Sequence, residues 1–280
     1  MFMAKAIIDL KVIANKRLSP MYSQIVLGLG DNNIESGKDC SDSGAIPDIR
    51  SDFESILKSI EPGQFVQIKI EGCNGTFLRR PISINFADPE NRQLFILVRN
   101  AGEGTKRLCD VAVGETVNVI IPLGKGFSIE DTNKHPLLVG GGVGVAPLLY
   151  LGKILKDRGI TPSFLLAAKK ATDLLLLDEF KKYGNVAIST DDGSMGSRGL
   201  VTENPVLNQA WDIIYCCGPL PMMKGIAKIS KRQNTKCEVS LENTMACGLG
   251  ACLCCVEDTV KGNVCVCTEG PVFDTGNLKW

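Results

Sequence analysis

Residues 136–147 read Pro-Leu-Leu-Val-Gly-Gly-Gly-Val-Gly-Val-Ala-Pro, a short apolar run that leads directly into a glycine-rich loop. The run ends at Val139, the loop spans Gly140 to Gly144, and Pro147 opens a segment with helical spacing. Proline is favoured in the first turn of a helix because the N–H that it lacks would be unpaired there. The stretch therefore predicts a strand, a tight loop and a helix in succession, the repeating unit of a parallel sheet covered by helices.

The residues that follow alternate between helical and strand-like patterns. Leu148, Leu151 and Leu155 lie on one face of the first predicted helix, and short apolar runs separate it from the later helices. We therefore predict an α/β domain over residues 128–235, with helices at 146–158, 174–183 and 221–230 and strands at 136–139, 163–168, 186–190 and 213–217.

Residues 1–127 have a different character. Short apolar runs alternate there with turn signals such as Pro62-Gly63 and Asp88-Pro89. Such spacing predicts a small antiparallel β-barrel. The stretch 31–52 is polar, rich in Ser, Asp and Gly, and lacks periodicity, so we predict a long surface insertion there. The predicted strands are 6–13, 22–29, 65–70, 94–98 and 116–121.

The overall composition argues against several classes of protein. Lys plus Arg and Asp plus Glu number 31 each, so the zero net charge gives no reason to expect nucleic acid or an anionic membrane as the partner. No apolar run reaches the roughly 18 residues that a membrane-spanning helix needs, and the N-terminal residues lack the pattern of a signal peptide. The single histidine, His135, argues against a His-rich metal site. We therefore expect a cytoplasmic protein.

Cysteine is the unusual residue of this sequence, because the chain has twelve and seven of them fall between residues 237 and 280. Cys247, Cys252 and Cys255 have the spacing C-x4-C-x2-C, and Cys267 follows them. A C-x4-C-x2-C run with a distant fourth cysteine is typical of plant-type ferredoxins, which bind a 2Fe–2S cluster. Each iron takes two ligands from the protein, so these four cysteines are the predicted metal ligands.

A zinc ion is the alternative at this site. Cys252 and Cys255, together with Cys265 and Cys267, would also supply four thiolates to one metal. Residues 236–280 are too few to build a hydrophobic core alone, so a metal centre would provide the missing cohesion of a small third domain.

Two further motifs, both within the barrel segment, suit an anionic ligand. Arg80-Pro-Ile-Ser83 places a guanidinium and a hydroxyl three residues apart on an extended segment, where both can meet a phosphate-bearing ligand. Leu97-Val-Arg99 is followed by Gly102-x-Gly104-Thr105, a turn into a predicted helix whose backbone amides favour anions. Together the two motifs fit a pyrophosphate. The later loop at 140–144 lets a dinucleotide approach the backbone, although it departs from G-x-G-x-x-G.

In this order the motifs resemble those of the ferredoxin reductase-like flavoproteins, and most closely the family of electron-transfer subunits of NAD-dependent bacterial dihydroorotate dehydrogenases. The resemblance covers essentially the whole chain except residues 31–52. Its most specific pieces are residues 78–84, 191–194, 246–255 and 267–273.

The resemblance implies FAD, a 2Fe–2S cluster and NAD as cofactors. Ser83 would lie near the reactive edge of the flavin and is the residue to which a catalytic role is assigned, while Ile82 stands where the wider family often has tyrosine. The residues implied to bind FAD are Arg80, Pro81, Ile82, Ser83, Leu97, Val98, Arg99, Gly104 and Thr105.

On the nicotinamide side, the resemblance implies that Cys217-Gly218-Pro219 forms a second motif, although Cys217 is also a plausible buried thiol. Residues 191–194 would help to position the nucleotide. Lys169 and Lys170 would suit the 2′-phosphate of NADP, whereas the family favours NAD. The residues implied to bind the nucleotide are Gly140, Gly141, Gly142, Gly144, Cys217, Gly218 and Pro219.

A role and a partner are implied as well. An FMN-containing catalytic subunit would oxidise dihydroorotate in pyrimidine biosynthesis, and its electrons would pass through the cluster and the FAD of this chain to NAD⁺. The subunits would form a two-plus-two heterotetramer that meets near residues 248–253 and 265–270. One alternative is the small subunit of an NADH-dependent ferredoxin:NADP oxidoreductase, which has a non-cysteine cluster ligand. The other is a zinc-stapled binding protein without enzymatic activity.

Overall fold

The computed structural model describes residues 5–30, 49–73 and 75–280. It confirms the predicted order of an antiparallel barrel, a parallel sheet covered by helices and a small C-terminal segment. Most of the predicted insertion, residues 31–48, lies outside the described residues. Among the residues that are described, no helix is long and apolar enough to cross a membrane.

The first part of the chain forms a closed barrel of six antiparallel strands. Alternate side chains such as Ile25 and Leu27 are fully buried inside it, as the two-residue period of a strand requires. The strands are β1 (Ala6–Ser19), β2 (Tyr22–Gly28), β3 (Phe65–Ile68), β4 (Arg80–Asp88), β5 (Gln93–Arg99) and β6 (Thr116–Leu123). Their order around the barrel is β1-β2-β5-β4-β3-β6.

Helix α1 (Ile49–Ser59) shows that the prediction of an irregular stretch through residue 52 was wrong at its C-terminal end. Phe53, Leu57 and Ile60 recur at helical spacing and pack into the barrel core, where Phe53 and Leu57 are fully buried. Burying one such side chain contributes about 1.5–3 kcal/mol. The helix was not predicted because polar residues surround its short apolar pattern, although its apolar side chains belong to the barrel core. A second helix, α2 (Glu103–Cys109), follows β5.

The second part of the chain forms a parallel sheet flanked by helices, as predicted. Its strands are β7 (Pro136–Gly141), β8 (Ser163–Ala168), β9 (Asn185–Thr190), β10 (Ser197–Arg198), β11 (Ile213–Cys217) and β12 (Lys236–Ser240). Its helices are α3 (Ala146–Asp157), α4 (Leu177–Tyr183) and α5 (Leu220–Gln233). Helix α4 begins three residues later than predicted because Leu176 has a left-handed backbone, with φ of 55°.

The C-terminal segment joins the edge of this sheet. It contains β13 (Val256–Thr259), β14 (Gly262–Cys265), α6 (Val266–Glu269) and β15 (Val272–Asp274). Strand β15 pairs antiparallel with β12, and the full sheet order is β10-β9-β8-β7-β11-β12-β15. Two strands beyond residue 235, β12 and β15, belong to the sheet of the preceding segment, and the domain boundaries at residues 127 and 235 stay predictions.

A buried polar contact joins the barrel to the sheet segment. The side chain of Asn85 on β4 is fully buried. Its Nδ2 donates to the carbonyl oxygen of Ala146 at 2.9 Å, and its Oδ1 accepts from Nε2 of Gln24 at 2.9 Å. Phe86 and Tyr150 pack edge to face at the same junction, with ring centroids 5.5 Å apart. These contacts set helix α3, and hence the glycine loop before it, against the barrel.

Candidate cofactor sites

A pocket of about 330 Å³ lies where β4 and α2 begin. Arg80, Gly102, Gly104 and Thr105 all line it, so the arginine of the first predicted motif and the glycine turn of the second share one pocket, whereas Ser83 does not line it. A Cβ on Gly104 would lie 3.0 Å from Nε of Arg80, which means that glycine lets the guanidinium lie against the loop. Glu103 also lines the pocket, so the site is not uniformly positive.

The adjacent polar groups have structural roles. Nη1 of Arg79 donates to the carbonyl oxygen of Asn118 at 3.0 Å, and Nη2 contacts the side chain of Asn118, so this arginine ties the barrel wall together. Oγ1 of Thr105 accepts the backbone N–H groups of Ala101 at 2.9 Å and Gly102 at 3.1 Å, which closes the loop. Of the predicted arginine pair, Arg80 alone lines the pocket.

The predicted flavin motif is divided between two faces of the barrel wall. Phe65 lies opposite Ser83, and Gln67 lies opposite Pro81, in the antiparallel pair of β3 and β4. Opposed residues point to the same face, so these four share the outer face of the barrel. Ile82 points to the inner face, where it packs against the barrel core. Ser83 is therefore presented outward without its neighbour Ile82. By the same alternation Ser83 and Arg80 lie on opposite faces of the strand, so the prediction that both meet one phosphate was wrong.

The strand residues assigned to FAD on β5 differ in exposure. Leu97 and Val98 are buried, whereas Arg99 at the end of the strand is exposed and lies opposite Tyr22 of β2. The hydroxyl of Tyr22 would lie 3.7 Å from a Cβ on Gly142. The ends of β2 and β5 thus approach the glycine loop of the sheet segment.

The glycine loop packs directly on the second predicted nucleotide motif. Gly140 lies opposite Cys217 in the parallel pair of β7 and β11. A Cβ on Gly144 would lie 2.5 Å from the carbonyl oxygen of Cys217 and 2.6 Å from Cα of Gly218. Both motifs stand at the carboxyl ends of adjacent parallel strands, where ligands of α/β sheets bind. A Cβ on Gly141 would likewise lie 3.3 Å from Pro219.

Cys217 takes part in this arrangement through its backbone. Its side chain is only 1% exposed, and burial raises the pKa of the thiol well above its ordinary value. This agrees with the buried-thiol alternative for the side chain.

Residues 191–194 meet the basic pair at the ends of β8 and β9. Oγ of Ser194 accepts the backbone N–H of Ala171 at 2.7 Å and donates to Oδ1 of Asp192 at 2.6 Å. The hydrogen bonds from Ser194 lower the pKa of Asp192. Lys169 and Lys170 are both exposed beside this turn.

Glu242 follows β12 by two residues and lies within electrostatic range of both the barrel and the sheet, although no sequence pattern singled it out. Its charge acts on Cys217 of the sheet, and that of Arg99 of the barrel acts on it. The residue is exposed to solvent. Desolvation by the surrounding protein nevertheless raises the pKa of its carboxyl, and the positive charge of Arg99 partly offsets this rise. A lone glutamate after a strand has no distinctive spacing, so only the fold identifies it.

The four predicted metal ligands are brought together as two pairs. Cys252 contributes to the lowered pKa of Cys247 and Cys255 to the raised pKa of Cys267, and the backbone N–H of Cys267 donates to Sγ of Cys255 at 3.4 Å. Within the described residues, no three or more Cys, His, Asp or Glu side chains form a group that would hold a metal ion. A 2Fe–2S cluster takes two thiolates per iron, which these two pairs would supply. Cys265 of the zinc alternative also interacts electrostatically with Cys255, Cys247 and Cys252.

Backbone N–H groups of the loop already point at these sulfur atoms. Gly250 donates to Sγ of Cys267 at 3.2 Å, and Leu249 donates to Sγ of Cys247 at 3.3 Å. Donation from Leu249 lowers the pKa of Cys247 to about 6, whereas burial raises that of Cys267 to about 12. Gly248 and Gly250 have φ of 70° and 85°, a left-handed backbone that glycine adopts without strain.

The cysteine loop packs on the outer face of the barrel that presents Ser83. Cys255, Val266 and Cys267 belong to one apolar cluster with Phe65 and Ile120 of the barrel wall. Cys265 stands beside the loop, with Sγ 4.0 Å from the carbonyl oxygen of Gly250, and Cys254 is exposed.

A larger cavity of about 720 Å³ lies elsewhere, between the linker at 125–129 and helix α3. None of the residues predicted to bind a cofactor lines it. Its buried Glu238 accepts the backbone N–H of Ser128 at 2.9 Å and so is already satisfied.

Solved structures of reductases share this architecture. The structure of an NADH-dependent reduced ferredoxin–NADP oxidoreductase superposes on this chain with a TM-score of 0.79 at 26% identity. The match covers 97% of this chain and 90% of that one. The FAD/NAD-binding domain of nitric oxide dioxygenase from Vibrio cholerae matches 82% of this chain and 97% of its own with a TM-score of 0.62 at 20% identity, which shows the fold alone. The chain is thus a flavoprotein of the ferredoxin reductase type that carries an added C-terminal segment.

That segment and the full sequence narrow the class to one family. Residues 242–279 match the sequence model of the iron–sulfur cluster binding domain of dihydroorotate dehydrogenase B. The chain is 40% identical over 244 residues to the dihydroorotate dehydrogenase B (NAD⁺) electron transfer subunit of Shouchella clausii, covering 82% of this chain and 93% of that one. For the subunit of Caldanaerobacter subterraneus the identity is 42% over 227 residues, covering 79% and 88%. The chain belongs to this family of electron transfer subunits.

Proposed function

We propose that this chain is the electron-transfer subunit of an NAD-dependent dihydroorotate dehydrogenase of pyrimidine biosynthesis. The observation that carries the proposal is the shared outer face of the barrel. Ser83, the residue nearest the expected flavin edge, and the cysteine loop both lie on that face. A flavin and a cluster held there would be neighbours, which electron transfer between them requires.

The residues present fit the two resident cofactors. Arg80, Gly104 and Thr105 would hold the phosphates of FAD in their common pocket, with Ser83 on the outer face of the same strand. Cys247, Cys252, Cys255 and Cys267 would hold the cluster as two pairs. When bound, the cluster carries single electrons and the flavin carries one or two, so together they connect a one-electron donor to NAD⁺, which accepts only a hydride.

The protein itself contributes binding, orientation and hydrogen bonds. The backbone N–H groups of Leu249 and Gly250 already donate to sulfur and so favour the thiolates that metal binding requires. Gly140 to Gly144 and Cys217 to Pro219 would let a nicotinamide nucleotide approach the backbone at the carboxyl ends of β7 and β11. The choice of NAD over NADP and the cytoplasmic location stay predictions.

The partner in this proposal is an FMN-containing catalytic subunit in a two-plus-two heterotetramer. Leu249 and Leu253 support a contact at the cysteine loop, because both are large apolar side chains that are 45% and 64% exposed. Apolar side chains grouped at the rim of a redox centre favour a protein partner.

The test compares the isolated chain with the reconstituted complex. We expect the purified chain, prepared without oxygen, to show flavin and iron–sulfur absorption bands and to reduce dyes with NADH. Dihydroorotate-dependent reduction of NAD⁺ is expected only after the catalytic subunit is added. Oxidation of dihydroorotate by the isolated chain, or a preparation without iron and acid-labile sulfide, would contradict the proposal.

A further inference from the structure

Gln67 is a buried polar side chain that the proposed function has not used. It lies on β3 and is fully buried, and neither Nε2 nor Oε1 has a hydrogen-bond partner among the described residues. Buried amide groups are rarely left unpaired, because each loses its hydrogen bonds to water. We therefore expect the amide of Gln67 to have a hydrogen-bond partner outside the polypeptide, such as a bound cofactor.

The surroundings of Gln67 show where that partner lies. A Cβ on Gly248 would lie 2.8 Å from Nε2 and 2.7 Å from Cγ of Gln67, so the amide touches the loop one residue after Cys247. Across the strands, Gln67 lies opposite Pro81, which has no N–H, and opposite Ile120, which is apolar. The amide thus faces the cysteine loop rather than the barrel wall.

Gln67 also stands close to the flavin motif. Ser83 lies opposite Phe65, two residues before Gln67, so Gln67 and Ser83 are diagonal neighbours on the outer face, roughly 7–8 Å apart. Gln67 is therefore placed between the cysteine loop and the strand that presents Ser83.

We propose that the side-chain amide of Gln67 donates a hydrogen bond from Nε2 to a sulfur atom of the cluster on the side of Cys247, and so raises the reduction potential of the cluster. This inference rests on the proposed cluster ligands. Cluster sulfur atoms only accept hydrogen bonds, so the side chain presents its N–H rather than its oxygen. Hydrogen bonds to sulfur stabilise the more negative, reduced cluster and are one of the factors that set its potential.

The experiment measures the midpoint potentials of both cofactors in the holoprotein after Gln67→Leu. The cluster is titrated by EPR and the flavin by absorption. We expect the cluster potential to shift to a more negative value and the flavin potential to stay where it is. Gln93→Leu, at the opposite end of β5 from Arg99, is the matched control and should move neither. If Gln67→Leu fails to fold, Gln67→Met provides a longer apolar side chain of similar size.

A second readout detects the hydrogen bond directly. Pulsed EPR of the reduced cluster in D₂O should show an exchangeable deuteron that Gln67→Leu removes and Gln93→Leu keeps. An unchanged cluster potential, or a shift confined to the flavin, in a variant with full iron and sulfide content would overturn this inference alone. Wild-type protein without iron and sulfide would instead overturn the proposed function.

Discussion

At the scale of single residues, the arrangement of the sites depends on a few close backbone contacts. Gly144 is the clearest example, because the glycine loop touches the backbone of Cys217 and Gly218 at its position. Asn85 is a second, since one buried amide bonds to both the barrel and helix α3. Each residue joins two segments that are far apart in the chain.

Gly144→Ala should weaken nucleotide binding. The added Cβ would lie 2.5 Å from the carbonyl oxygen of Cys217, so the backbone of one motif must move. We expect the affinity for NADH to fall at least tenfold, which corresponds to about 1.4 kcal/mol, in a fluorescence titration. Gly159→Ala is the control, because its Cβ would meet nothing within 4 Å. Its φ of 77° is strained for alanine, so this change should lower stability without changing NADH affinity. Unchanged affinity in Gly144→Ala would contradict the proposed nucleotide site.

Asn85→Ala should destabilise the junction of the barrel and the sheet. The change leaves the Ala146 carbonyl and the Gln24 amide without their partner, which costs about 1–3 kcal/mol in the free energy of unfolding. Denaturant unfolding measures this cost. Asn91→Ala removes an exposed asparagine that bonds only to Asp88 and should change stability by less than about 0.5 kcal/mol. Equal effects of the two changes would show that the buried contact is unimportant.

At the scale of elements, helix α1 illustrates a short apolar pattern in a polar context. Its large apolar residues are Ile49, Phe53, Ile56 and Leu57, and the polar stretch before it removed the contrast that marks a helix in sequence. Packing against the barrel core stabilises the helix, because Phe53 and Leu57 are buried there. Helices of this length are marginal alone and depend on tertiary packing.

Leu57→Ala should therefore destabilise the whole barrel. Leu57 is fully buried, and truncating such a leucine costs about 2–5 kcal/mol through lost burial and the remaining cavity. Lys58→Ala on the same helix removes an exposed ion pair with Glu54 and should cost less than about 1 kcal/mol. Denaturant unfolding with flavin fluorescence as the probe compares the two. A small effect of Leu57→Ala would mean that α1 does not belong to the core.

At the scale of the whole molecule, three segments pack against one another. The barrel presents Ser83, the sheet presents the glycine loop, and the C-terminal segment brings the cysteine loop to the barrel wall. Strand β15 returns to the sheet after the cysteine loop and holds that segment between the other two. In the proposed function, this packing would place the cluster beside the flavin.

Leu253→Asp should weaken assembly with the catalytic subunit and leave the chain itself intact. The side chain is 64% exposed beside Cys252, so a charge there enters the proposed contact without entering a core. We expect weaker binding in analytical ultracentrifugation and normal NADH-dependent dye reduction by the isolated chain. Leu200→Asp, 60% exposed in the sheet segment, is the control and should assemble normally. Normal assembly of Leu253→Asp would place the partner elsewhere.

Local signals in the sequence were enough to predict the barrel, the parallel sheet, the glycine loop and the four cysteines. Strand periodicity, glycine and proline at turns, and the spacing of Cys247, Cys252 and Cys255 each extend over a few residues, so they are visible without a fold. The extent of α1 was missed because the helix is stabilised by a core whose other residues lie far from it in the sequence.

Only the tertiary structure decided which of these pieces meet. It separated Arg80, which lines the pocket, from Arg79, which ties the barrel wall. It also placed Gln67 against Gly248 and Glu242 between the barrel and the sheet. Neither residue has a local pattern, because contacts between positions roughly 140 to 180 residues apart depend on how the segments pack and are not visible as a spacing in the sequence.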